Sequence, residues 1–585
     1  MMRSSGGRPA APLLPLFDRG SLDGPQSFTR LGDGALGGKA GGLAAIREVL
    51  ARELDPGGHP GIAVDIPPSV VLPTDVFDGF MRLNNLREIA LSDAPDEVIA
   101  DAFVRAEIPP EIVGDLRALV AHARRPLAVR SSSLLEDAMF EPFAGVYATK
   151  MIPNNQPDAD TRFRRLAEAI KLVWASTFFG GAKAYRRATR EPDAEERMAV
   201  LLQDVVGERH DDLYYPHVSG VARSWNFYPT GNARPEDGVV DLALGLGKTI
   251  VDGGRVWTYS PAWPESLPPF GAARDLPKLT QTAFWAVNMG RPPAYDPLRE
   301  TEYLTQGDLK RADYDAVLDQ LVSTYDAAND RLVMGTGLDG PRVLTFAPLL
   351  GMPDVPLNPL IGRLLQVCRD AVGEAVEVEF ALTLGSRGGL PARLGFLQVR
   401  PMVVSQAEIA LEPEELTAGQ ALVASESVLG NGENAAIRDI VYVRPETFDA
   451  SRTRAIAAEI AQLNRTLSAE GRPYLLIGFG RWGSSDPWLG IPVDWAAISG
   501  ARAIVEATLP DMNVERSQGS HFFHNLTSFQ VFYFQVRHAG PHGVDWQWLN
   551  AQSAAAETPH ARHVRLATPL RVRVDGRSGR GVITR

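Results

Sequence analysis

The chain is short of several things, and each shortage excludes something. One cysteine, Cys368, among 585 residues rules out an internal disulfide or a cysteine-based zinc cluster, which suits a reducing compartment. No apolar run approaches the roughly 18 residues that a membrane span requires, so no membrane partner is expected. The net charge of −12 argues against a nucleic-acid partner and leaves room only for local basic sites. Lysine is scarce: seven of the 59 basic residues, the rest being arginine. Two of the seven, Lys39 and Lys248, stand in glycine-rich loops, where a retained lysine carries extra weight. The first residues are broken by Gly6, Gly7, Pro9 and Pro12 and lack an apolar signal core. Residues 1–28 therefore read as a flexible leader, and the cytoplasm is the expected location.

Hydrophobic content of 45% with 22% charged residues is that of an ordinary globular chain, long enough for two to four domains. The pattern is α/β. Helices are expected over 40–53 and 160–190 and strands over 69–72, 198–206, 220–228, 376–384 and 393–399, with a helical, acidic stretch over 296–335. A polar, Glu-rich change near 403–415 divides 29–405 from 406–585. The second part reads helix 451–470, strand 474–477, glycine-tryptophan loop 478–490, helix 495–509, strand 528–536 and a closing hairpin over 572–579.

Four segments carry chemistry. In Val129-Arg130-Ser131-Ser132-Ser133-Leu134-Leu135-Glu136-Asp137 an arginine leaves an apolar strand and enters hydroxyls and carboxylates, a donor set for a polyanion. A serine turn leading to a helix cap is the plain alternative. Leu36-Gly37-Gly38-Lys39-Ala40 and Leu244-Gly245-Leu246-Gly247-Lys248 are glycine loops ahead of helices, able to approach phosphate or nothing more than turns. In Val376-Glu377-Val378-Glu379-Phe380 and Phe396-Leu397-Gln398-Val399-Arg400, strand alternation puts Glu377 with Glu379 and Gln398 with Arg400. If the two strands pair, carboxylate and amide oxygens meet a guanidinium, a set for Mg²⁺ and a phosphoryl group or else the polar face of an edge hairpin.

These blocks, with Phe143-Ala144-Gly145, Trp174-Ala175-Ser176, Tyr185-Arg186, Met198-Ala199-Val200 with Gln203, Ser219-Gly220-Val221-Ala222 and Gln398-Val399-Arg400-Pro401, follow a familiar order. Residues about 30–402 resemble the N-terminal ATP-binding domain of the phosphoenolpyruvate synthase and pyruvate phosphate dikinase family. The resemblance implies an ATP-grasp-like, two-subdomain nucleotide-binding region followed by a separate C-terminal α/β domain. It also implies ATP phosphates held by Lys39 and Arg130, contacts from Gly245 and Gly247, Mg²⁺ on Glu379 and Gln398, and Arg400 stabilising the transferring phosphoryl group. Lys248 departs from the family, which has a glutamate there. The family's phosphohistidine block is not found, and a (β/α)₈ barrel of about 250 residues exceeds the remaining tail, so complete pyruvate chemistry is not expected.

The tail has its own candidates. Gly478-Phe479-Gly480-Arg481-Trp482-Gly483-Ser484-Ser485-Asp486 offers Arg481 and Asp486 as acceptor-site groups or a Trp-anchored structural loop. Ser520-His521-Phe522-Phe523-His524 offers His521 as a phosphoryl carrier or general base, with a hydrogen-bonded structural histidine as the alternative. The expected activity is an ATP- and Mg²⁺-dependent phosphotransferase with a small-molecule or protein acceptor left open, as is a homodimer. The rivals are a non-catalytic ATP-binding regulatory module and a phosphotransferase subunit completed by a separate histidine-carrier protein.

Overall fold

Residues 28–401 supply four β-sheets and residues 421–584 supply three, and among the described residues no sheet mixes strands from the two ranges. The computed structural model describes residues 14–21, 28–54, 59–135, 145–187, 196–227, 229, 231–265, 273–385, 391–402, 404, 409–417, 419–484, 488–493, 495–510, 512, 526 and 531–585. Glu136, Asp137, Phe143, Ala144, Asp486, His521 and His524 lie outside them.

Two of the four N-terminal sheets position the site. The first runs Phe28–Arg30, Ser69–Leu72, Met198–Asp204, Leu127–Ser133, Thr149–Ile152. Its third and fourth strands are antiparallel, with Arg130 opposite Leu201. The second sheet runs Trp257–Tyr259, Val239–Ala243, Val218–Arg223, Val376–Thr383, Ala392–Pro401, Ile62–Asp65. There the two strands expected to pair do so antiparallel, with Glu377 opposite Arg400 and Glu379 opposite Gln398. A bulge follows Glu379 and shifts the register before Phe380. Such a bulge re-aims a side chain at the place where pairing is interrupted.

The helix Ala159–Ser176 packs on the first sheet. Asp158 caps it by accepting the Thr161 amide at 2.7 Å. Its Trp174 is fully buried against Phe80, ring centroids 4.6 Å apart. Burying a ring of that size contributes on the order of 4 kcal/mol at ~25 cal/mol per Å². A second helix, Gly180–Arg187, continues the expected 160–190 helical stretch, whose residues 188–190 lie outside the described residues.

The C-terminal range is built on a seven-stranded sheet. Its four central strands, Asp439–Val443, Tyr474–Phe479, Ala501–Ala507 and Phe532–Val536, are all parallel. The helix Thr453–Ala469 crosses between the first two, as a parallel connection requires. The closing hairpin pairs Arg571–Asp575 with Arg580–Thr584.

Two expectations are corrected. The 296–335 stretch is mostly not helical: it holds Leu304–Asp308, a short helix Leu309–Tyr314, and a hairpin of Val322–Asp326 with Arg331–Met334. Thr305, Val322, Thr324 and Val333 are β-branched residues whose cross-strand packing outweighs the acidic, helix-like composition. The helix expected over 495–509 is a single 3₁₀ turn, Trp495–Ile498, followed by the central strand Ala501–Ala507. A short, continuously apolar run fits a buried parallel strand as well as a helix, and Gly500 breaks the run between the two elements. Among the described residues, no helix is long and apolar enough to cross a membrane.

Candidate nucleotide site

The three serines after Arg130 do three different things. Ser131 accepts Lys39 Nζ at 3.2 Å. Ser132 accepts the Ala40 amide at 3.0 Å and donates to the Leu36 carbonyl at 2.8 Å, so it caps the helix Gly37–Glu53 from a neighbouring strand. Ser133 and Tyr147 both donate to the buried Glu196, the tyrosine at 2.6 Å, beneath the turn. Gly37 makes this junction possible: its φ is +74°, and a Cβ there would lie 1.6 Å from the Ser132 carbonyl oxygen. The glycine loop and the serine strand are therefore locked together, with Lys39 at the start of the helix and bonded to Ser131, the residue after Arg130.

Arg130 bridges the two sheets. Its Nη1 donates to Gln203 Oε1 at 3.2 Å and to the Leu397 carbonyl at 3.1 Å. Its Nη2 donates to Gln398 Oε1 at 2.9 Å and to Glu379 Oε2 at 3.4 Å, 249 residues away in sequence. Glu379 gives its other oxygen to Arg400 Nη2. Arg400 Nε lies 3.0 Å from Glu377 Oε1, and Glu377 Oε2 accepts Arg223 Nε at 2.6 Å. Arg223 Nη1 then reaches Asp241 Oδ2 at 2.7 Å, and Thr258 donates to Asp241 at 2.6 Å. Acid and base thus alternate from Asp241 to Arg130.

Exposure is graded along that row. Arg223, Asp241, Glu377, Gln398 and Arg400 are buried, while the Arg130 and Glu379 side chains are 13% and 14% exposed. Burial opposes the charge of Arg223, but Glu377 and Asp241 outweigh it and hold the guanidinium above its ordinary pKa. Asp241, Arg223 and Glu377 form a fixed ionic anchor behind Arg400. The outer end, Arg130 and Glu379, carries the groups of this row that solutes can reach.

Gly245 and Gly247 lie on a flanking loop. Ser219 donates to the Gly245 carbonyl at 2.6 Å, and the Leu246 amide donates to the Trp285 carbonyl at 2.9 Å. Gly245 has φ +80°, and a Cβ on it would sit 2.6 Å from that same Trp285 oxygen. Leu246 packs with Ala128 of the Arg130 strand, so the loop covers one side of the gap between sheets. Lys248, the residue that departs from the family, pairs with Asp252 at 3.0 Å and rests 5.9 Å over the Trp285 ring. Its charge is balanced locally.

The arrangement brings together Arg130, Glu379, Gln398 and Arg400, with Lys39 joined through Ser131. Arg223 and Asp241 belong to the same network and were not among the expected residues, while Glu377, expected on the strand face of Glu379, and Gln203, expected only as part of a family block, join it as well. A signal existed for Arg223, which closes the apolar strand Val218–Arg223: a buried arginine there requires carboxylate partners. Which acids would meet it is set by sheet pairing across 154 residues.

Glu208, His210 and His217 form a separate cluster with ligand atoms within 4.8 Å. The Leu384 amide donates to His217 Nδ1 at 2.8 Å, which puts the neutral ring's proton on Nε2, 3.6 Å from Glu208 Oε2. That nitrogen carries the proton and stands beyond hydrogen-bond distance of the carboxylate, so in this tautomer His217 offers no lone pair to a metal. Burial, aided by His210, lowers the His217 pKa to about 4.

With this geometry in view, the comparisons with known proteins are specific. Residues 34–260 match the family model for the pyruvate phosphate dikinase AMP/ATP-binding domain. That stretch belongs to the dikinase-type AMP/ATP-binding family. The mixed α/β, ATP-grasp-like architecture expected from the sequence is the one observed. Two curated relatives align with part of the chain. An uncharacterized phosphotransferase, YvkC, of Bacillus subtilis (strain 168) is 28% identical over 188 residues, covering 32% of this chain and 20% of the relative. A rifampicin phosphotransferase of Streptomyces sviceus is 28% identical over 205 residues, covering 32% and 22%. The aligned stretches thus span about a fifth of the length of each relative.

Proposed function

We propose that the chain is an ATP-dependent phosphotransferase whose nucleotide phosphates lie between the two sheets, on Lys39, Arg130 and Arg400. The observation that carries this reading is Arg130, a single guanidinium that joins both sheets through Glu379 and Gln398. A planar fork of that kind is suited to bidentate contact with phosphate oxygens. Glu379 and Gln398 supply a carboxylate and an amide oxygen side by side, a donor set that fits a hard divalent cation such as Mg²⁺. Bound there with the phosphates, Mg²⁺ would supply positive charge against the polyphosphate.

Without nucleotide, Glu379 is held by two arginines, and each of those arginines is held by Glu379. An entering triphosphate competes with Glu379 for both guanidiniums. Arg130 then turns from Glu379 and Gln398 to phosphate oxygens, and both oxygen donors become available together. Arg400, kept in place from behind by Glu377 and Arg223, faces the charge that develops as the terminal P–O bond breaks, the nucleotide leaves with its electron pair and the phosphoryl group passes to the acceptor oxygen. The relatives named as phosphotransferases support the reaction class. His521 stays the proposed carrier should the phosphoryl group pause on the protein.

The test is incubation with γ- and β-labelled ATP, following ADP, AMP and protein-bound label in wild type, Arg400→Ala and His521→Ala. Release of labelled product that is lost in Arg400→Ala supports the reading. Nucleotide binding with no product from any position of ATP supports the regulatory-module alternative instead. Acid-labile protein label that persists in His521→Ala removes the carrier role.

A further inference from the structure

We infer that Arg481, from the glycine-tryptophan loop of the C-terminal range, is a positioning residue for the glycine loop of the nucleotide site. This inference rests on the nucleotide reading of Gly245 and Gly247.

The loop that carries Arg481 is fixed on both sides of it. The strand Tyr474–Phe479 ends at Gly480, whose φ is +72°. Trp482 folds back over Gly478 so closely that a Cβ there would stand 2.3 Å from its ring. The Trp482 amide donates to Glu506 Oε1 at 2.9 Å, its indole N–H donates to the Val505 carbonyl at 3.2 Å, and Tyr533 holds the other Glu506 oxygen at 2.6 Å. Gly490 packs on the Arg481 backbone, where a Cβ would come within 1.9 Å of the Arg481 carbonyl oxygen. The backbone on either side of Arg481 therefore has little freedom to move.

From this mount Arg481 Nη1 donates to the Gly253 carbonyl at 2.8 Å, across 228 residues of sequence. Gly253 closes the short helix Lys248–Val251: its amide bonds the Ile250 carbonyl at 3.1 Å, and that of Gly254 bonds the Thr249 carbonyl at 2.8 Å. That helix starts directly after Gly247. The segment 245–254 is thus held at its first end by Ser219 and the Trp285 carbonyl and at its last end by Arg481. Apolar docking of the two ranges has its own residues. Trp495 packs against both the core around Trp174 and the C-terminal core, and Phe227 packs into the latter. Arg481 adds a directional bond to main chain, which apolar docking does not provide.

The experiment compares full-length wild type, Arg481→Ala and Arg481→Lys in two readouts. One is amide hydrogen exchange over residues 245–254 without nucleotide; the other is titration calorimetry with ATP and Mg²⁺. Loss of one such hydrogen bond predicts faster exchange over 245–254 in Arg481→Ala and about fivefold weaker ATP binding. Exchange elsewhere should be unchanged, and Arg481→Lys, which keeps a cationic donor, should recover part of both effects. Unchanged exchange over 245–254, or faster exchange with unaltered ATP affinity, would overturn the inference. Failure of wild type to bind ATP is a different outcome: it removes the nucleotide reading and with it the functional role of Arg481, while the exchange data still report whether the brace exists.

Discussion

Glu379 in the N-terminal range and Glu506 in the C-terminal range are both mostly buried carboxylates with each oxygen engaged, yet the partners described for them differ in kind. Glu379 is held by Arg130 and Arg400, two cations from different sheets. Glu506 is held by the Trp482 amide and the Tyr533 hydroxyl, neutral donors beside one sheet. A polyanion can draw arginines away from a carboxylate because it offers them the same charge with more oxygens. It has no comparable claim on a main-chain amide or a buried phenol. On the reading proposed above, the first arrangement exchanges partners and the second stays closed.

The sharpest way to break that comparison is to remove one cation from the exchanging site. Arg400→Ala should lower the rate of phosphoryl transfer by about 10³-fold or more, read by single-turnover product release. A variant that transfers normally would place Arg400 in the same structural class as the donors of Glu506. A stability control in the C-terminal range, at a carboxylate that does meet a cation, is Asp439→Ala. Asp439 accepts Arg472 Nε at 3.1 Å and His563 Nε2 at 2.8 Å within the C-terminal sheet. Its loss should cost about 3–5 kcal/mol in urea unfolding and leave ATP affinity as it was.

A smaller effect separates stability from function inside the nucleotide region. Asp204 ends the strand that carries Gln203, and burial raises its pKa from 3.8 to about 6 despite Arg125 and His122. Folding therefore favours its protonated form. The resulting stability is fully present below pH 3.8 and is lost as pH rises to about 6. Asp204→Asn should then gain about 2–3 kcal/mol at pH 7 and nothing below pH 3.8, in denaturant titrations at the two pH values. His217 has the opposite sign: its neutral form is favoured, so its contribution is full above pH 6.5 and lost as pH falls to about 4. The smallest effect belongs to the exposed pair Arg105–Asp101, 2.9 Å apart on one helix face. Arg105→Ala should change stability by no more than about 0.5 kcal/mol and leave nucleotide binding unaffected.

Much of the exchanging site could be read in advance because its residues sit on strands. A period of two fixes which neighbours share a face, so Glu379 with Gln398 and Arg400 followed from alternation plus one assumed hairpin. Lys39 and Arg130 stood out as cations placed against glycine and serine. The anchor behind them was hidden for a physical reason: Arg223, Glu377 and Asp241 meet only through the order of strands in a sheet, which no local pattern encodes. The same limit explains 495–509, where an apolar run fits either a helix or a central parallel strand and only its neighbours in the sheet decide. In the C-terminal range the glycines around Trp482 were legible as a tight loop. That the loop would reach Gly253 was not, since docking between distant segments leaves no periodic trace.

The most direct test of the central claim is calorimetric titration of ATP into wild type and Arg130→Ala, each with and without Mg²⁺. If Arg130 is the exchangeable clamp, wild type binds ATP with Mg²⁺, binds it more weakly without, and Arg130→Ala loses about 10- to 100-fold in affinity. Equal affinity of Arg130→Ala and wild type for ATP with Mg²⁺ would contradict the account.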